Sequence, residues 1–307
     1  MKRLLTLACI VSLTAPCAFA QRPKVGVVLS GGGAKGAAHV GALKVLEENN
    51  IPIDYIVGTS MGAIIGGLYA IGYSASELDS LIIAQDWNFV MSDRIPRSSR
   101  SFERKREQDK YLIRIPFGPG DYSRLSAEAP RRGEEGSFLS NIPMAIVGGQ
   151  NIYNLFTKLS VGYQDSLDFS RMPIPFACVA VDLISKKEIV MDSGRFVDAI
   201  RSSMAIPGYF SPVRIGDMVL IDGGALNNYP VDVARSLGAD IIIGVKLGEV
   251  DKKEPAITNI GDMALEMMDL YMDAKYPDAI AHTDILITPS TKGFNTLSFD
   301  TNSLRTL

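Results

Sequence analysis

Apolar and polar positions fall into two kinds of block along this chain. Short, nearly unbroken apolar runs recur at Lys24-Val-Gly-Val-Val-Leu29, Ile53-Asp-Tyr-Ile-Val57, Pro175-Phe-Ala-Cys-Val-Ala-Val181 and Asp240 to Val245. Such runs are expected of strands buried on both faces of a parallel sheet. Between them, apolar residues return at helical spacing. Val40, Leu43 and Leu46 predict one buried face on a helix from about Ala37 to Glu48. Ser76 to Ile83 predicts a short capped helix, and Asn151–Leu159, Arg195–Met204 and Val231–Leu237 predict three more. Val213–Ile215 and Met218–Ile221 flank Gly216-Asp217, a hairpin signal. A second turn at Ser185-Lys186-Lys187 pairs the 175–181 strand with Glu188–Met191. Ile257 to Tyr271 reads as an amphipathic helix whose methionine-rich face belongs to the core, and Asp284–Thr288 as a final strand. Strands alternating with helices predict an α/β three-layer sandwich around a mostly parallel sheet.

Three stretches depart from this pattern. Met1 to Ala20 has Lys2 and Arg3, an apolar Leu4–Leu13 and an Ala18-Phe19-Ala20 site, the pattern of a secretory signal cleaved after Ala20. The expected organisation is a signal at 1–20 and one catalytic domain at 21–307. From Asp86 to Gly149 the chain is irregular and rich in Arg, Pro and Gly, apart from a strand-like Lys110–Phe117. So long an insertion is more often a lid or binding loop than filler, with Phe89, Phe102 and Phe138 as exposed apolar contacts. Phe299 to Leu307 reads as a helix start without a body, capped by Asp300 or Thr301, as in a piece of a longer polypeptide.

Composition narrows the class only a little. The 307-residue chain is 47% hydrophobic with a net charge of −3, enough apolar material for one large core and no nucleic-acid footprint. Cys9 and Cys17 leave with the signal, so Cys178 stands alone and no internal disulfide is expected.

The chemistry concentrates in Gly58-Thr59-Ser60-Met61-Gly62, between an apolar strand and a helix-like run from Ala63 to Ala70. A G-x-S-x-G turn in that context lifts a serine hydroxyl above the sheet and sets it at a helix N-terminus. Acyl transfer by Ser60 needs a base and an oxyanion hole. Gly31-Gly32-Gly33-Ala34-Lys35-Gly36 can aim several backbone N–H groups into one concavity. It fails the P-loop pattern, which requires Gly-Lys-Ser/Thr where this chain has Lys35-Gly36-Ala37. Gly31, Gly33 and Gly36 satisfy a dinucleotide fingerprint formally, but the acid, Asp54, is at the wrong end of the second strand. Lys35 reads as a solvated or phosphate-facing charge.

The base is harder to assign. Only two histidines exist: His39 lies inside a predicted helix, and His282 precedes its strand and so falls at the edge away from Ser60. The order Ser60, Asp222, His282 copies that of a hydrolase triad, but the geometry disfavours it. Asp222 ends an apolar strand before Gly223 and Gly224. It serves equally well as a direct base or as a turn aspartate capping its own backbone.

Taken together, the glycine loop, the serine turn, Asp222-Gly-Gly224 and Ser203-Met-Ala-Ile-Pro-Gly-Tyr-Phe-Ser-Pro212 resemble the patatin-like phospholipase family from roughly Pro23 to Pro289. The resemblance implies a Ser60–Asp222 dyad, an oxyanion hole at Gly31, Gly32 and Gly33, and lipid acyl esters at a membrane surface as substrates. Lys35, Gly36, Gly58, Gly62, Gly223 and Gly224 would support those motifs. It implies neither metal nor other cofactor, while the signal pattern at 1–20 implies export to the periplasm, the outer membrane or the exterior. Secreted members can continue into an outer-membrane β-barrel. The alternative is a binding or translocation module of the same shape without turnover. A carboxylate base also predicts activity persisting below pH 6, where a histidine would be protonated.

Overall fold

A computed structural model describes residues 22–95, 145–248 and 276–291, together with Phe294 and Phe299. The predicted signal at 1–20, the Lys110–Phe117 strand, Phe102, Phe138 and the 257–271 helix lie outside the described residues.

The apolar runs are strands. In chain order they are β1 (Val25–Leu29), β2 (Tyr55–Thr59), β3 (Phe176–Asp182), β4 (Lys187–Met191), β5 (Val213–Ile215), β6 (Met218–Asp222), β7 (Ile241–Val245) and β8 (Ile285–Ile287). They form one sheet in the order β8-β7-β1-β2-β3-β6-β5, with β4 also paired to β3. The first five in that order are parallel, and β4, β6 and β5 add antiparallel pairs. Side chains alternate between two cores, as the pleat requires. Val27, Leu29, Ile56, Phe176 and Cys178 enter the larger core, while Val28, Val57, Ala177 and Val179 enter the other.

Helices cover both faces: α1 (Ala38–Glu48), α2 (Met61–Ala70), α3 (Ala75–Ala84), α4 (Trp87–Val90), α5 (Gln150–Leu159), α6 (Phe196–Ser203) and α7 (Val231–Ser236). The first six contribute to the larger core, where Phe169, Phe176 and Phe196 meet with ring centroids 5.9–6.0 Å apart. Helix α7 packs on the other face.

Three expectations change. Helix α3 starts one residue before Ser76, because Ser74 and Glu77 close a reciprocal capping box. The irregular 86–149 stretch contains α4 and a short strand, Ala145–Val147, paired parallel to Gly208–Phe210. Phe89 is half-buried against the larger core and is no exposed lipid contact.

The register beside β3 positions everything that follows. One edge of β3 is filled by β4 over residues 178–182. The other edge is shared: β2 runs parallel along 176–179, with Thr59 opposite Val179. Antiparallel β6 takes 180–182, with Asp222 opposite Ala180. The two C-terminal tips therefore meet head to head.

Candidate active site

Ser60 is the first residue past the tip of β2 and caps the N-terminus of α2. Its backbone has φ 56° and ψ −121°, a region that costs a non-glycine residue about 1–3 kcal/mol. Two glycines make the bend feasible. A side chain at Gly62 would strike the Leu29 carbonyl, and one at Gly58 would strike the backbone of Gly62. The Ser60 hydroxyl makes no cap hydrogen bond to its own helix. It donates instead to Asp222 Oδ2 at 2.6 Å.

Asp222 answers to both readings of its sequence. Oδ2 accepts from Ser60, while Oδ1 accepts from the Gly224 N–H at 2.8 Å, the turn-capping bond. The residue is 1% exposed. Burial pushes its carboxyl up to about 6, and the Ser60 and Gly224 bonds offset only part of that rise. The neighbouring Ser60 is 6% exposed, so the pair sits in a largely water-excluded pocket.

The histidines stand elsewhere. His39 is fully buried in α1 with Nε2 2.7 Å from the Ser30 carbonyl, and burial lowers it to about 4. Since a carbonyl only accepts, Nε2 carries the proton. His282 is exposed, with Nδ1 2.8 Å from the Asp278 carbonyl. It precedes β8, which runs parallel to β7, so it lies at the sheet edge opposite to Ser60. Cys178 is buried in β3, where desolvation raises its thiol far above the ordinary range.

The glycine loop lies alongside the elbow. Gly33–Ala37 forms a 3₁₀ turn leading into α1, and Gly33 has φ 56°. The first N–H groups of a helical turn lack internal acceptors, which favours an anion there. One expected donor is withdrawn: the Gly31 N–H donates to the Asn228 carbonyl at 3.1 Å. That partner occupies the Gly31 N–H, one of the three expected at the oxyanion hole. Gly36 packs on Met61, joining the loop to α2. Lys35 is half-buried and makes a polar or electrostatic contact.

Ser203, given no role in the sequence reading, and Asn227 and Asn228, which that reading passed over, hold these parts together. Ser203 Oγ accepts from the Ser60 N–H at 3.0 Å and donates to the Val179 carbonyl at 2.6 Å, tying the elbow to β3. The Asn227 carbonyl accepts from Thr59 Oγ1 at 2.9 Å. Asn228 accepts from Gly31 through its carbonyl, and its side chain donates to Tyr276 Oη at 2.6 Å. The available signal was two adjacent polar residues inside an otherwise apolar stretch after Asp222-Gly-Gly.

An apolar cleft, partly open to solvent, begins at Ala34 and at Met61, the residue after Ser60, and runs between α2, α3 and α5. Ile64, Leu68, Leu78 and Leu155 are among its walls. Among the described residues, no three His, Cys, Asp or Glu side chains gather as metal ligands.

Fold and site together define an α/β protein with a strained serine elbow bonded directly to a buried aspartate. Residues 27–235 match the patatin-like phospholipase family, and the chain belongs to it. It is 30% identical over 238 residues to Lysophospholipase NTE1 of Debaryomyces hansenii, covering 78% of this chain and 12% of that protein. It is 28% identical over 241 residues to Patatin-like phospholipase domain-containing protein 7 of Rattus norvegicus, covering 78% and 14%. The chain thus spans a small fraction of the length of these relatives. Among solved structures, VipD from Legionella pneumophila is similar with a TM-score of 0.45 and 15% identity, over 93% of this chain and 66% of that one.

Proposed function

We propose that this chain hydrolyses the carboxylic esters of phospholipids or lysophospholipids through an acyl-serine intermediate. The observation that carries this reading is the 2.6 Å bond from Ser60 Oγ to Asp222 Oδ2, made by a serine in a strained elbow. Ionised Asp222 takes the hydroxyl proton as Ser60 Oγ attacks the ester carbonyl carbon. The N–H groups of Gly32 and Gly33 and the N-terminal end of α2 stabilise the oxyanion. Collapse of the tetrahedral intermediate expels the alcohol, which receives the proton from Asp222. Water then attacks the acyl-serine by the same route and releases the fatty acid. The cleft beginning at Met61 is apolar and adjacent to the nucleophile, which suits a fatty acyl chain.

Two features of the reading rest on sequence pattern alone. Export follows from the charge and apolar arrangement of residues 1–20, and attachment to an outer-membrane barrel follows from the family resemblance. No helix among the described residues is long and apolar enough to cross a membrane.

Labelling with a fluorophosphonate probe, followed by mass spectrometry of products from defined phospholipids, tests the activity. A labelled Ser60 with released fatty acid supports it. An unlabelled, inactive wild-type protein removes it.

A further inference from the structure

Strand β3 continues past the level of the dyad. Ala180 lies opposite Asp222, and three residues on, at about 3.3 Å each, the chain turns about 10 Å beyond that level. The turn carries Leu183 and Ile184, 43% and 67% exposed. Lys186 and Lys187 follow them, both exposed. The β5–β6 turn stands beside it, since the Leu183 N–H donates to the Val219 carbonyl at 2.9 Å. That neighbour adds exposed Arg214 and exposed Asp217.

The turn itself explains none of the aliphatic side chains. Tight turns favour Gly, Asn, Asp and Ser, whose backbones or side chains suit the bend. Here the bend is held by Asp182 instead. Its Oδ1 accepts from Ile184 and Val219 N–H, its Oδ2 from Ser185 N–H, and its carbonyl from Lys186 N–H. Lys186 even adopts φ 56°, a conformation that glycine takes at less cost. Two aliphatic residues are thus displayed on a rigid tip at the catalytic edge of the sheet. Three exposed cations, Lys186, Lys187 and Arg214, lie on the same two turns, against one exposed acid, Asp217. Glu188 is half-buried and accepts from Asn227 Nδ2. Exposed apolar side chains sharing a tip with an excess of cations match the boundary between anionic head groups and acyl chains.

We propose that this double-turn tip, residues 183–187 with 214–217, docks the chain onto a phospholipid bilayer containing anionic lipid, and so brings the Ser60 edge to its substrate. The proposal deepens, and rests on, the lipid-hydrolase reading.

The test is co-sedimentation of full-length Ser60→Ala protein with phosphatidylcholine vesicles, with and without phosphatidylglycerol. Leu183→Ser/Ile184→Ser in that background should weaken binding to the anionic vesicles by about tenfold or more. Lys186→Ser/Lys187→Ser should remove the preference for anionic over neutral vesicles. In the active protein, both pairs should slow hydrolysis of vesicle lipid while leaving the melting temperature and turnover of a soluble short-chain ester unchanged. Wild-type affinity for vesicles in both double variants overturns the proposal, as does absence of vesicle binding by the Ser60→Ala protein itself. Because docking is read without turnover, failure of the hydrolase reading shows separately, as loss of soluble-ester turnover in the wild type.

Discussion

The backbone N–H of Ser60 is held by the side chain of Ser203, which passes the contact on to the Val179 carbonyl. All three residues are buried, so the elbow is fastened to β3 through the Ser203 hydroxyl. It also occupies the Ser60 N–H, which is therefore no oxyanion donor.

Ser203→Ala leaves a buried N–H and a buried carbonyl without that partner, at a cost of about 1–3 kcal/mol. Urea unfolding should show the lower midpoint. A loosened elbow should lower kcat more than it raises KM, and Ser203→Thr, which keeps the hydroxyl, should recover part of both.

The pH profile follows from burial. Asp222 works as a base only when ionised, and desolvation pushes it up to about 6. The acid limb of activity should therefore fall near pH 6, which corrects the expectation that a carboxylate base keeps working below that value. A limb there resembles that of a histidine, so pH alone does not separate the two bases. Substitution does. His282→Ala should retain activity and the same limb, and His39→Ala should retain the limb while lowering the melting temperature. A folded, inactive His282→Ala protein would make the dyad wrong.

Asp222→Asn should separate stability from activity. Turnover should fall by about 10²–10⁴. The folded carboxyl titrates near 6, above its ordinary 3.8. Its stabilising contribution is therefore complete below pH 3.8 and lost as pH rises through 6, a swing of about 3 kcal/mol. The amide has no such titration. At pH 8 the variant should melt higher than the wild type, and the gap should close below about pH 4. Calorimetry across that range checks the sign.

The glycine loop offers a direct test of the oxyanion donors. A Cβ at Gly32 would lie 2.7 Å from Leu247 Cδ1, the movable end of a side chain. Gly32→Ala should thus fold while shifting the N–H, lowering kcat by about 10². Pairing it with Leu247→Ala relieves the contact and should restore the melting temperature without restoring the rate. Full activity in Gly32→Ala would place the hole elsewhere.

Chain-length preference should be written in the cleft wall. Leu155→Trp narrows the space between α5 and α2 and should shift preference toward shorter acyl chains, read as kcat/KM over an ester series. An unchanged preference would send the acyl chain along another route.

Much of this was legible in the sequence because it depends on local rules. Apolar runs such as 24–29 and 175–181 are strands wherever both faces are covered, and Gly58 is demanded by the elbow's own backbone contacts. Asp222 was legible as a strand end, and its double duty was not, since each of its oxygens reaches a different part of the chain. Gly31 shows the opposite failure. Its sequence fits an oxyanion donor, but Asn228, 197 residues later, takes its N–H. The effect of burial on Asp222 was hidden for the same reason, because desolvation belongs to the packed core and not to the residue.

The head-to-head meeting of β2 and β6 gives β3 the role of a ruler. The strand ends that deliver nucleophile and base, Thr59 and Asp222, are spaced by neighbouring rungs, Val179 and Ala180, on a third strand that belongs to neither. Loop lengths do not enter that measurement. The loops at the far ends of β2 and β6 can lengthen, shorten or exchange sequence without altering the separation of the two strand tips. Such an arrangement lets substrate preference diversify while the reaction stays the same.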